Sequence, residues 1–360
     1  MPQKVIHFIS SLGRAGRERQ LGCIYKYHNP ARQDVKIVYL NHTEPNCIED
    51  FSMQPQDLIK IKAKNVFGRL FELQKILRQE NPDAVFAWGF IEAFFSLVLK
   101  PFNNYAFING SIQHGIISLR PSHYLRMVLL HFSGNIVANS YAGLAANHLK
   151  RGQVLYNGIE EKFFNVQAKT AQILRLKEKN KPPFLISVAN LLPYKDYFTV
   201  LEALAVIKEK GYGFSYFILG DGPMREQIAA KIKKLGLSRE VLLFGSKSNV
   251  EDYMSISDIF IHSSKGEGCS NAILEAMACG LAVIATATGG TPEVVDKNSG
   301  LLFRYRDKNG LVNCLELLLN DTQKVKEFGR QAKEKAIKMF SMNSMLERYC
   351  GIIEAATKKD

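Results

Sequence analysis

The 360-residue sequence lacks several things that would have pointed elsewhere. Its six cysteines are scattered and form no C-x-x-C pair, so zinc-ribbon and thioredoxin chemistry have no spacing to build on. They read as free thiols of a reducing compartment. The longest apolar stretches, residues 90–99 and 127–132, fall well short of the roughly 18–20 residues that a membrane helix needs. The N-terminus, MPQKVIHFISSLG, lacks the basic, apolar and small-residue order of a secretory signal. A cytoplasmic location is expected, free or peripheral on the inner face of the cell membrane. No G-x-x-x-x-G-K-[ST] occurs, which disfavours a P-loop nucleotidase. No D-x-D occurs either, so no metal site and no resident cofactor are expected. Acidic residues are the minority, 34 against 47 basic, giving a net charge of +13. That balance favours anionic partners such as phosphorylated ligands, nucleic acid or an anionic membrane surface. No aromatic-rich binding motif accompanies the charge, so nucleic acid is not an expected partner.

What is present is ordinary globular composition, 46% hydrophobic and 22% charged. At roughly 150 residues per domain the length suggests two domains. Short apolar runs alternate with helical patterns: strands read at 5–10, 35–40, 84–88, 105–108, 135–138 and 154–156, with helices between them. The rhythm resumes with strands at 184–188, 215–219, 241–244, 259–262, 282–285 and 300–303. Such alternation predicts parallel sheets covered by helices on both faces. It pauses only between residues 160 and 183, a charged segment ending in Pro182 and Pro183 that reads as a seam between two doubly wound domains. Two long helical patterns, 322–340 and 344–356, close the chain.

In open α/β sheets ligands bind beyond the carboxyl ends of the strands, so the loops there carry the candidate chemistry. The most informative is Ser263-Ser264-Lys265-Gly266-Glu267-Gly268-Cys269-Ser270-Asn271-Ala272, which leads into a helix bearing Glu275 and ending at Gly280. Ser270 suits an N-cap and Gly280 a C-cap. Amides at the start of this helix offer a diphosphate site, and carboxylates at Glu267 and Glu275 accept hydrogen bonds from sugar and ribose hydroxyls. By spacing alone, a loop glutamate plus a surface helix glutamate explains the pair equally well. A second loop, Ala189-Asn190-Leu191-Leu192-Pro193-Tyr194-Lys195-Asp196, offers Lys195 as a point cation for phosphate. A third, Gly220-Asp221-Gly222-Pro223, permits a tight turn, with Pro223 fitting a helix first turn. It is no dinucleotide fingerprint, because Arg225 stands where the third glycine belongs. Near the start, Gly13-Arg14-Ala15-Gly16-Arg17 reads as a flexible cationic loop after the first strand. His114, in Asn109-Gly110-Ser111-Ile112-Gln113-His114-Gly115, follows another strand and could contact a sugar or act as a base.

Five segments together resemble the retaining glycosyltransferases of the GT-B fold, family four, the glycogen-synthase-like group 1 enzymes. They are VLYNGIEEKFF (154–164), VANLLPYKD (188–196), ILGDGPMREQI (218–228), EGCSNAILEAMA (267–278) and GLAVIATATGGTPEVV (280–295), in family order over nearly the whole chain. The resemblance implies two Rossmann-like doubly wound domains facing an interdomain cleft. Residues 1–165 would bind the acceptor, residues 166–340 the nucleotide sugar, and residues 341–360 would form a helix crossing back to the first domain. It implies that Glu275 binds the nucleotide ribose and Glu267 the donor sugar. Lys195 would hold the diphosphate and stabilise the leaving group. Backbone amides of Ser270, Asn271 and Ala272 would meet the donor sugar, Gly13 and Gly16 would approach the donor phosphates, and His114 would contact the transferred sugar. Gly220 and Asn190 join this donor-binding set. Asn190 is a departure: the family usually has an arginine there, five residues before the lysine. Asparagine brings a hydrogen bond but no charge, and Arg14, Arg17 or Arg225 are candidates to compensate.

The expected reaction is metal-independent transfer, with retention, from a nucleotide-diphosphate sugar as co-substrate to a glycan or lipid-linked glycan acceptor, in surface polysaccharide or lipopolysaccharide synthesis. Arg120, His123, Tyr124 and Arg126 beside residues 127–132, and Lys60, Lys62 and Lys64, read as segments touching anionic lipid. A nucleotide-sugar 2-epimerase of the same fold and a noncatalytic sugar-nucleotide-binding subunit are the alternatives.

Overall fold

The computed structural model describes residues 1–13, 15–113, 121–166 and 171–358, and of residues 45–46, 121–125 and 171–172 the backbone alone. The chain divides into two compact units, Met1–Gly158 with Met342–Asp360, and Ile159–Ser341. The division falls after Gly158, where the sequence reading has it after residue 165.

The first unit runs β1 (Gln3–Ile9), α1 (Gly16–Tyr27), β2 (Gln33–Tyr39), α2 (Pro45–Asp50), β3 (Leu58–Lys60), α3 (Val66–Glu80), β4 (Ala84–Ala87) and α4 (Phe90–Leu99). It continues β5 (Ala106–Ile112), α5 (Pro121–His131), β6 (Asn135–Ala138), α6 (Tyr141–Ala146) and β7 (Gln153–Val154). The strands pair in parallel in the order β3-β2-β1-β4-β5-β6-β7. Central strands such as β4, AVFA, are buried at every position, as a sheet covered on both faces requires. Leu73 and Leu77 of α3, Ala93, Phe95 and Leu99 of α4, and Leu129 of α5 cover one face. On the other lie Leu21 and Ile24 of α1 and Met345, Tyr349, Ile352 and Ile353 of the last helix, Met342–Thr357. Those four positions recur at helical spacing and form one apolar stripe. Beneath Tyr349 lies His7 of β1, whose Nε2 stands 2.7 Å from the Tyr349 hydroxyl while the Trp88 indole donates to its Nδ1 at 2.9 Å. Burial, with a smaller contribution from His28, depresses the His7 pKa to about 3, so the ring is neutral.

The second unit runs α7 (Ala171–Lys179), β8 (Phe184–Val188), α8 (Tyr197–Glu209), β9 (Ser215–Leu219), α9 (Arg225–Lys234), β10 (Val241–Gly245) and α10 (Val250–Ser255). It continues β11 (Ile259–His262), α11 (Asn271–Ala278), β12 (Ala282–Thr286), α12 (Thr291–Val294), β13 (Gly300–Phe303), α13 (Lys308–Leu319) and α14 (Thr322–Phe340). Its strands are parallel in the order β10-β9-β8-β11-β12-β13. Helix α14 passes so close to α11 that a Cβ at Gly329 would lie 2.1 Å from the Gly280 carbonyl oxygen. Gly280 itself, at φ +81°, ends α11 in the left-handed conformation that glycine favours.

Two elements depart from the sequence reading. Strand β3 is a three-residue edge strand, too short to show a period. The charged 160–183 stretch, read as a seam where the alternation pauses, contains α7, whose polar sequence buries Ile173. In each sheet the strand order reverses once, between β1 and β4 and between β8 and β11. The loops leaving those strands are where each sheet opens a crevice for ligand.

Candidate active site

In the second unit, β8 and β11 flank the reversal, and their loops carry Lys195 and Glu267. Lys195 is fixed from both sides. Its amide donates to the Leu192 carbonyl at 2.9 Å, and it pairs with Ser264 in an isolated antiparallel bridge. The next residue, Asp196, donates its amide to the Ser263 carbonyl at 3.0 Å and caps α8 by accepting the Thr199 amide at 3.2 Å. Glu267 is fixed through its backbone, since its carbonyl accepts the Gly290 amide at 2.9 Å. Gly289, at φ +54°, makes that approach possible, because a Cβ there would fall 2.0 Å from the same carbonyl oxygen.

The side chains converge. The Lys195 ammonium donates to Glu267 Oε1, the Ser264 hydroxyl donates to the same oxygen at 3.3 Å, and His262 Nε2 stands 3.4 Å from Lys195 Nζ. His262 Nε2 lies 3.8 Å from Glu267 Oε1, beyond hydrogen-bond reach. Burial first, then the Lys195 charge, lowers the His262 pKa to about 4 against the opposing pull of Glu267. Burial pushes the Glu267 carboxyl upward, but the charge and hydrogen bond of Lys195 outweigh it and hold the carboxyl well below the ordinary carboxylate range. At neutral pH the loops therefore present an ammonium, an ionised carboxylate and a neutral imidazole. The first binds anionic oxygens, and the second only accepts hydrogen bonds, as from sugar hydroxyls.

Helix α11 begins next to this cluster. Ser270 occupies its N-cap position, but the serine side chain makes no capping hydrogen bond, contrary to the expected role. Asn271 and Ala272 form the first turn, which holds no acidic side chain to compensate the helix dipole. Glu275 lies mid-helix and only 5% exposed, so it is no surface glutamate. Gly220, at φ +134°, lets the loop after β9 meet the loop after β8, since a Cβ there would sit 1.9 Å from the Ala189 carbonyl oxygen. Asn190 is exposed at the tip of this contact. Pro223 lies in the turn ahead of α9 rather than in its first turn, because Met224 is the N-cap and Arg225 the first helical residue. Arg225 pairs with Asp221 at 3.5 Å, both exposed.

In the first unit, Gly13 follows β1, where a Cβ would stand 3.0 Å from Glu44 Oε1. Gly16 opens α1. Arg17 is already engaged, donating to the Trp88 carbonyl and to Glu18, each at 3.2 Å. His114 and Arg14 lie outside the described residues. Two functional candidates went unread in the sequence. His262 passed as a strand end. Glu92 hid in the apolar run FIEAFFSLVL, yet it is buried and accepts the Ser10 hydroxyl at the reversal between β1 and β4. A charged residue inside so apolar a run was the available signal.

Residues 169–335 match the glycosyl transferases group 1 family. The N-acetylgalactosamine-N,N'-diacetylbacillosaminyl-diphospho-undecaprenol 4-alpha-N-acetylgalactosaminyltransferase of Campylobacter jejuni is 26% identical across 93% of this chain and 95% of its own length. Several other curated relatives are matched over about half their length. Among them is the lipopolysaccharide core biosynthesis glycosyltransferase LpsE of Rhizobium meliloti, 25% identical over 48% of this chain and 49% of its own. Anabaena HepE, solved in complex with UDP, superposes with a TM-score of 0.85 at 20% identity, covering 98% of this chain and all of HepE. Residues 169–335 are thus similar to the group 1 glycosyltransferases, and the chain has the fold of the GT-B glycosyltransferases.

Proposed function

We propose that the protein transfers a sugar, with retention of anomeric configuration, from a nucleoside-diphosphate sugar to a glycan or lipid-linked glycan acceptor in surface polysaccharide or lipopolysaccharide synthesis. The observation that carries this is the Lys195–Glu267 pair at the reversal of the second sheet. A donor entering there would bring a diphosphate for Lys195 and sugar hydroxyls for Glu267. The ion pair thus holds both groups in place until the donor replaces each partner. Lys195 then stabilises charge developing on the leaving diphosphate. The start of α11 at Ser270, Asn271 and Ala272 offers amides to the donor, and Glu275 takes the ribose. Gly220 and Asn190 shape the neighbouring loop. The reaction needs neither metal nor resident cofactor, and it runs at the cytoplasmic face of the membrane.

The relatives support this reading. The Campylobacter enzyme is named for an undecaprenol-diphosphate acceptor and LpsE for the lipopolysaccharide core, while HepE has been solved with UDP-glucose. None of these is named as an epimerase, and the epimerase alternative gains no support from them.

The test is a thermal-shift panel of UDP, GDP, ADP, CMP and their sugar conjugates on wild type and on Glu275→Gln. A ligand at about 100 times its Kd adds about 2.7 kcal/mol of stability. One nucleotide should stabilise wild type and lose most of that effect in the variant. The matching sugar conjugate should then give transfer to a lipid-linked acceptor with an anomeric proton of unchanged configuration. No shift with any nucleotide at millimolar concentration would overturn the proposal and leave a noncatalytic role.

A further inference from the structure

Helix α4 is apolar on its exposed side as well as its buried one. Its polar residues, Glu92 at 1% exposure and Ser96 at 0%, point into the unit. Its exposed residues, Ile91, Phe94 and Val98, are all apolar and share one helical face. A helix that is apolar all round belongs in an interior, yet this one covers the outside of a sheet. Its neighbours extend the patch. Helix α3 packs on one side and exposes Phe67 at 84% and Phe71 at 74%. Helix α5 packs on the other and exposes Val128, with Phe132 exposed just past its end, and Phe102 stands out just beyond the end of α4. Isolated surface apolar residues are normal, but an array across three adjacent helices is not.

The patch has a basic margin. Between residues 58 and 79 six basic residues, Lys60, Lys62, Lys64, Arg69, Lys75 and Arg78, stand against one acidic residue, Glu72. Five of the six are exposed, Arg69 being half-buried with its Nε donating to the Ala63 carbonyl. The second cluster expected from the sequence contributes less. Arg126 is half-buried and donates to the Ser111 carbonyl, while Arg120 and the side chains of His123 and Tyr124 lie outside the described residues.

We infer that the α3–α4–α5 face of the first unit docks on an anionic lipid bilayer, with Phe67, Phe71, Phe94 and Phe132 entering the acyl boundary and Lys60, Lys62 and Lys64 meeting headgroup phosphates. Exposed aromatics beside a polybasic segment match a surface that is apolar inside and negative outside. A second copy of this chain is a poor occupant, because it would bring two basic margins together. The inference deepens the reading above, in which the acceptor is lipid-linked, and rests on it for its biological sense only.

Flotation with phosphatidylcholine vesicles containing about a third phosphatidylglycerol tests it, against pure phosphatidylcholine and at raised salt. Wild type should float with the anionic vesicles and dissociate with salt. Phe67→Ser/Phe71→Ser and Lys62→Glu/Lys64→Glu should each bind at least about tenfold more weakly while keeping the melting temperature and the nucleotide-induced shift. Those substitutions are at exposed sites, and Phe94→Ser is a third variant should α3 tolerate change poorly. Wild type that stays unbound at low salt overturns the inference, as does unchanged binding by all three variants. A wild-type dimer in light scattering that these variants dissolve, without vesicle binding, assigns the face to self-association instead. The nucleotide shift is read without lipid, so failure of docking and failure of the transferase reading are separate results.

Discussion

His262 Nε2 stands 3.4 Å from Lys195 Nζ on a ring that burial and the Lys195 charge keep neutral. A neutral imidazole accepts a hydrogen bond from the ammonium, whereas a protonated ring would repel it. The histidine therefore orients the cation without competing for donor phosphate. His262→Phe keeps the ring volume and the stacking on Phe260 but removes the acceptor. Donor turnover should fall about tenfold with a smaller change in donor KM, because a misplaced cation costs most as the leaving group develops charge. Steady-state kinetics would show it, and an unchanged kcat would reduce His262 to packing.

Asn190 is exposed five residues before Lys195, where a second cation would add to leaving-group stabilisation. Asn190→Arg should cost no more than about 0.5 kcal/mol of stability at such a site. Donor turnover should rise by about three- to tenfold. An unchanged rate in the same kinetic assay would mean that another cation, such as Arg225, already fills the role.

Gly329 lies within α14, where alanine is the better helix former by about 1 kcal/mol. The propensity argument predicts stabilisation by Gly329→Ala, and the packing argument predicts the reverse. A Cβ 2.1 Å from the Gly280 carbonyl cannot be accommodated without moving α14 away from α11. The contact wins: a loss of about 2–3 kcal/mol is expected by denaturant unfolding of the second unit. Because α11 carries Glu275, nucleotide-induced stabilisation should weaken as well.

Acid should weaken both units. The folded-state pKa values of His7 and His262 are depressed, to about 3 and about 4, from the ordinary 6.5. Below about pH 6.5 the unfolded chain binds protons that the folded chain refuses. Each ring then removes up to about 1.4 kcal/mol per pH unit as the pH falls toward its folded value. Calorimetry between about pH 7 and about pH 5 should show melting temperatures dropping for both units. In His262→Phe the drop should shrink for the second unit alone.

The chain pattern made much of this molecule legible. Apolar runs of strand length between helical periods announced two parallel sheets, because those periods are local properties of a few neighbouring residues. The glycines of the loop at 220–222 were equally readable, since positive φ and close backbone approach leave glycine as the residue of choice. Tertiary structure alone decided the rest. Lys195 and Glu267 are 72 positions apart and meet because strand order puts β8 beside β11. His262 became part of the site when burial neutralised its ring. Arg126, read as a surface cation, turned inward to a carbonyl, and the polar residues of α4 turned inward while its apolar Ile91, Phe94 and Val98 faced out. Sequence period states which residues share a face of a helix or strand. Which face meets the core, and which charges find each other across it, depends on contacts between segments far apart in the chain.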